Sequence, residues 1–195
     1  MAEPLYSERF ERALVFAHRV HRDQRRKGSG IPYVSHLLAV CSLAIEAGAD
    51  EDEAIAALLH DAAEDQGGRR TLEQIKTAFG ARPASIVEEL SDTFSAPKPP
   101  WRKRKEEHIA KLHTASESAL LITACDKLHN ARCILIDYRQ HRGSLWNRFK
   151  GGRAGTLWYY RQVTDLLRSR SSGPVLDALE EAVSQMHGLG KGSEG

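Results

Sequence analysis

The sequence has few cysteines, no long apolar run and almost no net charge, and each of these absences excludes a class of protein. Its three cysteines form no Cys-X-X-Cys pair and leave one thiol unpaired in any disulfide scheme, so we expect a reduced, cytoplasmic protein. No apolar stretch approaches the roughly 20 residues of a membrane-spanning helix. The acidic N-terminal region also lacks the apolar segment of an export signal. We therefore expect neither export nor a membrane partner.

The charge balance argues against a protein that coats nucleic acid. The 28 basic and 26 acidic residues leave a formal charge of +2, and we find no nucleic-acid-binding motif. Two local basic runs remain, RDQRRK at 22–27 and KPPWRKRK at 98–105. On charge alone, each run is best explained as a solvated loop. We therefore expect no nucleic-acid partner.

Apolar residues recur at helical spacing along the chain, and sustained alternation of the strand type is absent. Capping-box patterns at Asp50–Glu53 and Thr71–Gln74 indicate two helix starts. The length of 195 residues suits one domain. The sequence therefore predicts an all-α fold, a single helical bundle over residues 1–187 with a flexible glycine-rich tail at 188–195. The main helices are expected at 51–65, 83–93, 102–113, 117–140, 154–170 and 174–187.

The segment LLHDAAED places four polar side chains on the side of a helix opposite to its apolar stripe. His60 and Glu64 are one turn apart, as are Asp61 and Asp65. A solvent-facing polar side is the ordinary explanation of acids on an amphipathic helix. The alternative is a metal site, because an adjacent histidine and aspartate can bind one ion with two more carboxylates a turn away.

Two further segments supply residues of the same chemistry. DKLHNAR puts Asp126 and Asn130 on the face opposite to the apolar stripe of its helix. His36 follows a Pro-Tyr pair that fixes the exit of the loop RKGSGIPY. Two imidazoles and two carboxylates, with water in the open positions, suit Mn²⁺, Mg²⁺ or Fe²⁺ better than a closed structural zinc site. The sequence therefore predicts one metal ion held by His36, His60, Asp61 and Asp126.

Other residues in these segments are expected to be structural. His129 lies off the polar face of its helix, which favours a packed or hydrogen-bonded histidine over a ligand. In GTLWYYR, the helical spacing favours core packing for Trp158 and for at least one of Tyr159 and Tyr160.

The order of these motifs resembles the HD-domain metal-dependent phosphohydrolases. RKGSGIPYVSH, HDAAED and DKLHNAR are similar in particular to the hydrolase domain of RelA/SpoT-type enzymes and to the free-standing small alarmone hydrolases. The resemblance runs from about residue 7 to residue 165. It implies an all-α HD domain that binds one Mn²⁺ ion and removes pyrophosphate from the 3′ position of (p)ppGpp, releasing GDP or GTP. The implied partner is a small molecule, a bis-pyrophosphorylated purine nucleotide.

The resemblance also implies roles for individual residues. It assigns the metal to the four ligands named above. It makes Glu64 and Asp65 the acidic pair that activates or positions the attacking water. Nucleotide contacts fall on Arg26, Lys27 and Asn130.

The chain departs from the usual motifs at three places: GSGI before Pro32, Lys127 where arginine is frequent, and Cys133 where a nucleotide-contacting threonine often lies. These departures concern base and sugar contacts and leave the metal ligands intact. From charge and position, we add Lys98 and Arg104 as further substrate-binding residues that could neutralise phosphates.

Other functions stay open on the sequence. A (p)ppApp hydrolase fits equally well, because the motifs do not name the purine. An HD phosphohydrolase acting on deoxynucleotides is a further alternative, although the Glu64–Asp65 pair and the RKGSGIPY loop favour the alarmone type. A nucleotide-sensing regulator without turnover would be expected to lose ligands or the acidic pair, and this chain keeps both.

Overall fold

The structure, a computed structural model, describes residues 6–94 and 97–190. In this part of the chain the regular elements are helices, with one isolated bridge between Arg25 and Pro32, so the all-α prediction is confirmed. Within the same residues, no helix has both the length and the apolarity needed to cross a bilayer. The helices are α1 Glu8–His21, α2 Val34–Glu46, α3 Glu51–Leu59, α4 Ala62–Asp65, α5 Arg69–Phe79, α6 Ala81–Leu90, α7 Trp101–Leu112, α8 Glu117–His141, a 3₁₀ helix Arg142–Arg148, α9 Gly152–Arg170 and α10 Pro174–Gly188.

The core is organised around α8, which packs against α2, α6 and α10. Its predicted apolar stripe is buried at Leu120, Leu128 and Ala131. Helix α3 is buried at every position from Ala54 to Leu59, because α1, α2 and α6 surround it. Full burial of a leucine side chain contributes roughly 1.5–3 kcal/mol. This packing holds the C-terminal end of α3 firmly beside α8.

The two predicted capping boxes have different outcomes. The box at Asp50 is confirmed: the Glu53 amide donates to Asp50 Oδ1 at 3.0 Å, and the Asp50 amide donates to Glu53 Oε2 at 2.9 Å. The box at Thr71 is wrong, because α5 begins at Arg69 after Gly68, and the Thr71 hydroxyl donates to the Gln66 carbonyl. The preceding glycines, Gly67 and Gly68, have φ of 102° and 60°, so α5 starts after Gly68, three residues before the predicted start.

The predicted continuous helix over 51–65 is also wrong. Helix α3 ends at Leu59, a turn follows at residues 60–61, and the single-turn helix α4 begins at Ala62. The His60 ring nitrogen Nδ1 lies 2.8 Å from the Ala57 carbonyl, which anchors the side chain at the end of α3. The turn interrupts the helix at the two residues, His60 and Asp61, that are predicted to bind the metal.

The remaining helices agree with the predicted ranges to within a few residues, the usual uncertainty of helix ends. Tyr159 and Tyr160 are buried, as their spacing predicts, and Trp158 is partly buried. No sequence pattern predicts the 3₁₀ helix after α8. The domain boundary at 188 stays a prediction, and residues 191–195 of the predicted tail lie outside the described residues.

Candidate active site

Helices α2 and α8 and the turn after α3 bring His36, Asp126 and His60 together from distant parts of the chain. One ligand atom of each lies within 4.8 Å of the other two. His36 Nε2 is 3.2 Å from Asp126 Oδ1, and His60 Nε2 is 3.9 Å from the same oxygen. Both histidines are buried, and the Asp126 side chain is only 13% exposed. The arrangement is a compact, shielded set of nitrogen and oxygen donors.

Asp61 lies at the edge of this cluster. Its Oδ2 is 2.9 Å from His60 Nε2 and 3.6 Å from His36 Nε2. The Tyr33 hydroxyl donates to the same oxygen at 2.6 Å and so holds the carboxylate in place. On a continuous helix, adjacent side chains point about 100° apart. The turn after α3 allows His60 and Asp61 to face the same point.

The two imidazoles are oriented through their other ring nitrogens. His60 Nδ1 donates to the Ala57 carbonyl, which leaves Nε2 as the free donor atom. That Nε2 is buried and faces two carboxylates, at 2.9 Å from Asp61 Oδ2 and 3.9 Å from Asp126 Oδ1. His36 Nδ1 lies 2.8 Å from His129 Nδ1, so His129 is the hydrogen-bonded histidine that the sequence predicts.

The cluster carries an excess of negative charge. Burial by itself lowers the pKa of His60, but Asp61 and Asp126 outweigh it and raise that pKa to about 9. Burial also opposes ionisation of the two carboxylates. His60 and His36 nevertheless hold the pKa of Asp61 well below its usual range, and Lys127 and His36 do the same for Asp126.

These properties test whether a metal ion fits. Two ionised carboxylates next to two imidazole nitrogens form a buried site that a divalent cation would neutralise. His60 Nε2 lies against both carboxylates, so a metal ion could be bound by the nitrogen and the oxygens together. The donor set of His36, His60, Asp61 and Asp126 therefore fits a divalent metal.

The predicted acidic pair faces the same cavity. Glu64 and Asp65, on α4, line a cavity of about 200 Å³ together with His60, Asp61 and Asp126. The Asp92 amide donates to Glu64 Oε2 at 2.8 Å, and Lys98 Nζ donates to Glu64 Oε1 at 2.9 Å. Asp65 accepts a 2.8 Å hydrogen bond from Gln24. Both carboxylates are thus held in fixed positions beside the histidine–aspartate cluster.

The loop that precedes α2 reaches the cluster through a chain of hydrogen bonds. Arg26 Nη2 donates to Asn130 Oδ1 at 2.8 Å, and Asn130 Nδ2 donates to Asp126 Oδ1 at 2.5 Å. Asn130 lines the cavity. Lys27 is exposed on the same loop. Of the three predicted nucleotide-binding residues, Asn130 therefore lines the cavity, Arg26 is hydrogen-bonded to it, and Lys27 is the next residue along the loop.

The second basic run is divided in the structure. Lys98 lies beside both acids, with Nζ 3.7 Å from Asp65 Oδ1 in addition to its contact with Glu64. Arg104 is buried and donates to the Pro99 carbonyl and to Asp92, with its guanidinium 3.8 Å from Glu64. From this helix it is Lys105 that lines the cavity.

Several residues of the cavity are not indicated as site residues by the sequence: Tyr33, Asp92, His108, Thr123 and Lys127. The pairs Lys105–His108 and Thr123–Lys127 have helical spacings of three and four residues, which is the one signal that could have grouped them. That spacing does not indicate which face of a helix meets a cavity.

The chain is similar to known proteins of the HD-domain class. A family model described as the HD domain matches residues 13–157. Guanosine-3′,5′-bis(diphosphate) 3′-pyrophosphohydrolase of Mus musculus is 37% identical over 137 residues, which cover 67% of this chain and 74% of that enzyme. The enzyme of the same name from Aquifex aeolicus is 34% identical over 142 residues, which cover 71% of this chain and 20% of that longer protein. A solved structure, a metazoan ortholog of SpoT that hydrolyzes ppGpp, matches with a TM-score of 0.77 at 28% identity and covers 97% of this chain and 99% of its own.

Proposed function

This chain belongs to the HD-domain family and, within it, to the guanosine-3′,5′-bis(diphosphate) 3′-pyrophosphohydrolases, and we propose on that basis that it removes pyrophosphate from the 3′ position of (p)ppGpp. The products are GDP or GTP and pyrophosphate. The observation that carries this proposal is that one cavity is lined by two kinds of residue. His60 and Asp126 can bind a metal ion, and Glu64 and Asp65 form the acidic pair.

An HD-domain hydrolase uses a divalent metal ion, and we infer that His36, His60, Asp61 and Asp126 hold it here. The mixed nitrogen and oxygen donors, without thiolates, support Mn²⁺ as the ion. When bound, such an ion polarises a phosphoryl oxygen and lowers the pKa of a bound water. Tyr33, through its hydrogen bond to Asp61, and His129, through His36, keep the ligands oriented.

Glu64 and Asp65 supply the acid–base chemistry in this proposal. They orient the attacking water and accept its proton as its oxygen bonds to the phosphorus attached to the ribose. The bond from that phosphorus to the 3′ oxygen breaks, and the 3′ oxygen takes up a proton and leaves with the nucleoside. Lys98, at 2.9 Å from Glu64, would neutralise phosphate charge next to the acidic pair.

The nucleotide side of the cavity is formed by the loop before α2. Asn130 is linked to both Arg26 and Asp126, so it joins the nucleotide loop to the metal ligands. Arg26 and Lys27 would neutralise phosphates that extend from the cavity, and Arg104 would support the loop that carries Lys98. The substrate is a small-molecule nucleotide. The similar enzymes act on a guanosine nucleotide, which supports guanine as the base of the substrate here. The free thiols of Cys41, Cys125 and Cys133 support the cytoplasm as the compartment.

Product analysis tests the reaction. Metal-stripped protein with added Mn²⁺ is incubated with ppGpp, ppApp or deoxynucleoside triphosphates in ¹⁸O-labelled water, and the products are identified by chromatography and mass spectrometry. We expect GDP and ¹⁸O-labelled pyrophosphate from ppGpp, with no orthophosphate. Early release of orthophosphate, or trimming of the 5′ chain, would identify a different phosphohydrolase.

Metal content tests the ligand assignment separately. We expect His60→Ala and Asp61→Ala proteins to lose nearly all bound metal by elemental analysis while they keep the helical circular dichroism spectrum. Full metal occupancy in both variants would contradict the assignment.

A further inference from the structure

The buried end of the cavity contains polar atoms that the protein leaves without partners. His108 and Thr123 line the cavity and are only 3% and 1% exposed. Neither His108 Nε2 nor Thr123 Oγ1 has a hydrogen-bond partner among the described residues. Buried polar groups in proteins are normally hydrogen-bonded, and one left without a partner destabilises the fold. Two of them in one cavity point to a ligand that satisfies both.

Two lysines bring positive charge to the same place. Lys105 and Lys127 line the cavity, and their Nζ atoms lie 4.8 Å and 5.5 Å from the centroid of the Tyr159 ring. Contact with one aromatic ring stabilises two cations that would otherwise repel each other. Each Nζ contacts a carboxylate at 2.6 Å, Lys105 that of Asp92 and Lys127 that of Asp126. An ammonium has three donors, so each lysine keeps donors for a ligand.

Asp92 organises this end of the cavity without presenting an uncompensated negative charge. Its Oδ2 is 2.6 Å from Lys105 Nζ and 3.2 Å from Arg104 Nη1, and its Oδ1 is 3.0 Å from His108 Nδ1. Burial lowers the pKa of His108, so the neutral ring donates from Nδ1 to Asp92 and keeps Nε2 as a buried acceptor. The donors that remain are the Thr123 hydroxyl and the two ammonium groups, which is the chemistry of an oxyanion site, and His108 Nε2 can accept from a protonated phosphate oxygen.

We propose that this end of the cavity is a subsite for the terminal phosphate of the 3′-diphosphate, and so for the leaving pyrophosphate, formed by Lys105, His108, Thr123 and Lys127. The inference rests on the proposed function. The same cavity contains His60 and Asp126, so a diphosphate with its first phosphate at those ligands extends its second phosphate toward the subsite. Selection of a 3′-diphosphate over a 3′-monophosphate follows from this arrangement.

Thr123→Val is the sharpest variant, because valine has nearly the same shape and lacks only the hydroxyl. Thr164→Val is its matched control, since Thr164 on α9 is also buried with an unpartnered hydroxyl but does not line the cavity. Lys105→Gln removes a charge, and Lys105→Arg restores it. Each Mn²⁺-loaded protein is assayed for ppGpp hydrolysis, with inhibition by inorganic pyrophosphate and by guanosine 5′-diphosphate 3′-monophosphate.

We expect pyrophosphate inhibition to weaken on the order of 10-fold in Thr123→Val and roughly 10- to 100-fold in Lys105→Gln, the range for losing a hydrogen bond to a charged group. Inhibition by the 3′-monophosphate should not change. Lys105→Arg should recover most of the inhibition by pyrophosphate, and Thr164→Val should be inhibited like the wild type. Because the Thr123 hydroxyl has no protein partner, its loss should not lower the melting temperature. Unchanged pyrophosphate inhibition, or equal weakening of both inhibitors, would overturn the subsite.

The two proposals can fail independently. Wild-type protein that leaves ppGpp intact would overturn the proposed function. The subsite is then tested by calorimetric titration of the Mn²⁺-loaded wild-type and Thr123→Val proteins with inorganic pyrophosphate. Equal affinity in that titration overturns the subsite, and weaker binding by the variant supports it.

Discussion

The Nδ1 atoms of His36 and His129 lie 2.8 Å apart, so one ring donates a hydrogen bond to the other. Burial and the nearby His36 lower the pKa of His129 to about 4, which keeps His129 neutral and able to accept. If His36 binds a metal through Nε2, it must carry its proton on Nδ1 and donate it to His129. His129 thus selects the tautomer in which His36 can be a ligand.

Loss of this acceptor should weaken metal binding. We expect His129→Phe to reduce Mn²⁺ affinity about 10- to 100-fold, the usual effect of removing a group that orients a ligand. His129→Gln offers an amide oxygen as acceptor and should retain most of the affinity. Competition with a chromophoric chelator measures both values. Equal affinities for His129→Phe and wild type would show that His36 needs no such partner.

The acidic pair should be separable from metal binding. Glu64→Gln and Asp65→Asn keep the shape of the side chains, so we expect full metal content and a loss of roughly 10²–10⁴ in kcat, the range for removing general acid–base help. Elemental analysis and initial rates measure the two quantities. Glu73→Gln, at an exposed position on α5, is the control for loss of a carboxylate. Wild-type rates in both site variants would remove the pair from the mechanism.

The loop that carries Arg26 and Lys27 depends on Gly28. This glycine has φ of +76°, and a Cβ there would lie 2.6 Å from Arg148 Cδ. The Arg148 guanidinium is held by Asp137 at 3.3 Å, which limits its ability to move away. We expect Gly28→Ala to raise the KM for ppGpp and to destabilise the protein by more than the roughly 1–2 kcal/mol of a left-handed residue.

Gly30→Ala is the matched control for that substitution. Gly30 has φ of +69°, but no atom lies within 4 Å of its ideal Cβ. Gly30→Ala should therefore lose only the stability that a left-handed backbone conformation costs an alanine, with a smaller change in KM than Gly28→Ala. Urea unfolding and steady-state kinetics compare the variants. Identical effects at the two glycines would show that the contact with Arg148 is unimportant.

The cap of α3 should make stability depend on pH. Partial burial opposes ionisation of Asp50, but the Glu53 amide and Arg82 hold its pKa below the usual value. A carboxylate with a depressed folded pKa stabilises the protein above its unfolded pKa, about 3.9, and loses that contribution as pH falls through the folded value. We expect Asp50→Ala to cost about 1 kcal/mol at pH 7, and Asp50→Asn, which can still cap, to cost less.

The pH series supplies the check on this prediction. The stability difference between wild type and Asp50→Asn reflects charge, so it should shrink as the pH is lowered below about 4. Thermal unfolding at several pH values measures it. A difference that is constant from pH 7 to pH 3 would show that the charge of Asp50 does not contribute.

Some features of the site could be predicted because they depend on local spacing. Helical periodicity gives α8 its apolar stripe, and Asp126 and Asn130 follow on another face. The turn between α3 and α4 could not be predicted in this way, because LLHDAAED contains no glycine or proline to mark it. That turn depends on tertiary contacts, such as the hydrogen bond from Tyr33 to Asp61.

The basic residues show the same limit. Arg104 and Lys105 are neighbours in one charged run, yet Arg104 is held by the Pro99 carbonyl while Lys105 lines the cavity. Composition and charge cannot distinguish them, since the difference depends on how α7 is rotated against α9. No sequence pattern indicates Thr123, because its proposed role depends on a buried hydroxyl that has no hydrogen-bond partner among the described residues.

The loop between α1 and α2 has a practical consequence for work on this protein. It is closed by hydrogen bonds from the Arg26 amide to the Ile31 carbonyl and from the Tyr33 amide to the Gln24 carbonyl, at 2.8 Å and 2.9 Å. An affinity tag, a fluorescent label or an inserted residue here would shift this register and displace the Tyr33 hydroxyl from Asp61. Although the loop is largely exposed, it is a poor position for fusion or labelling. The exposed residues Ser171 and Ser172, which connect α9 to α10, are the better attachment point, because exposed connections away from such pairing tolerate insertion.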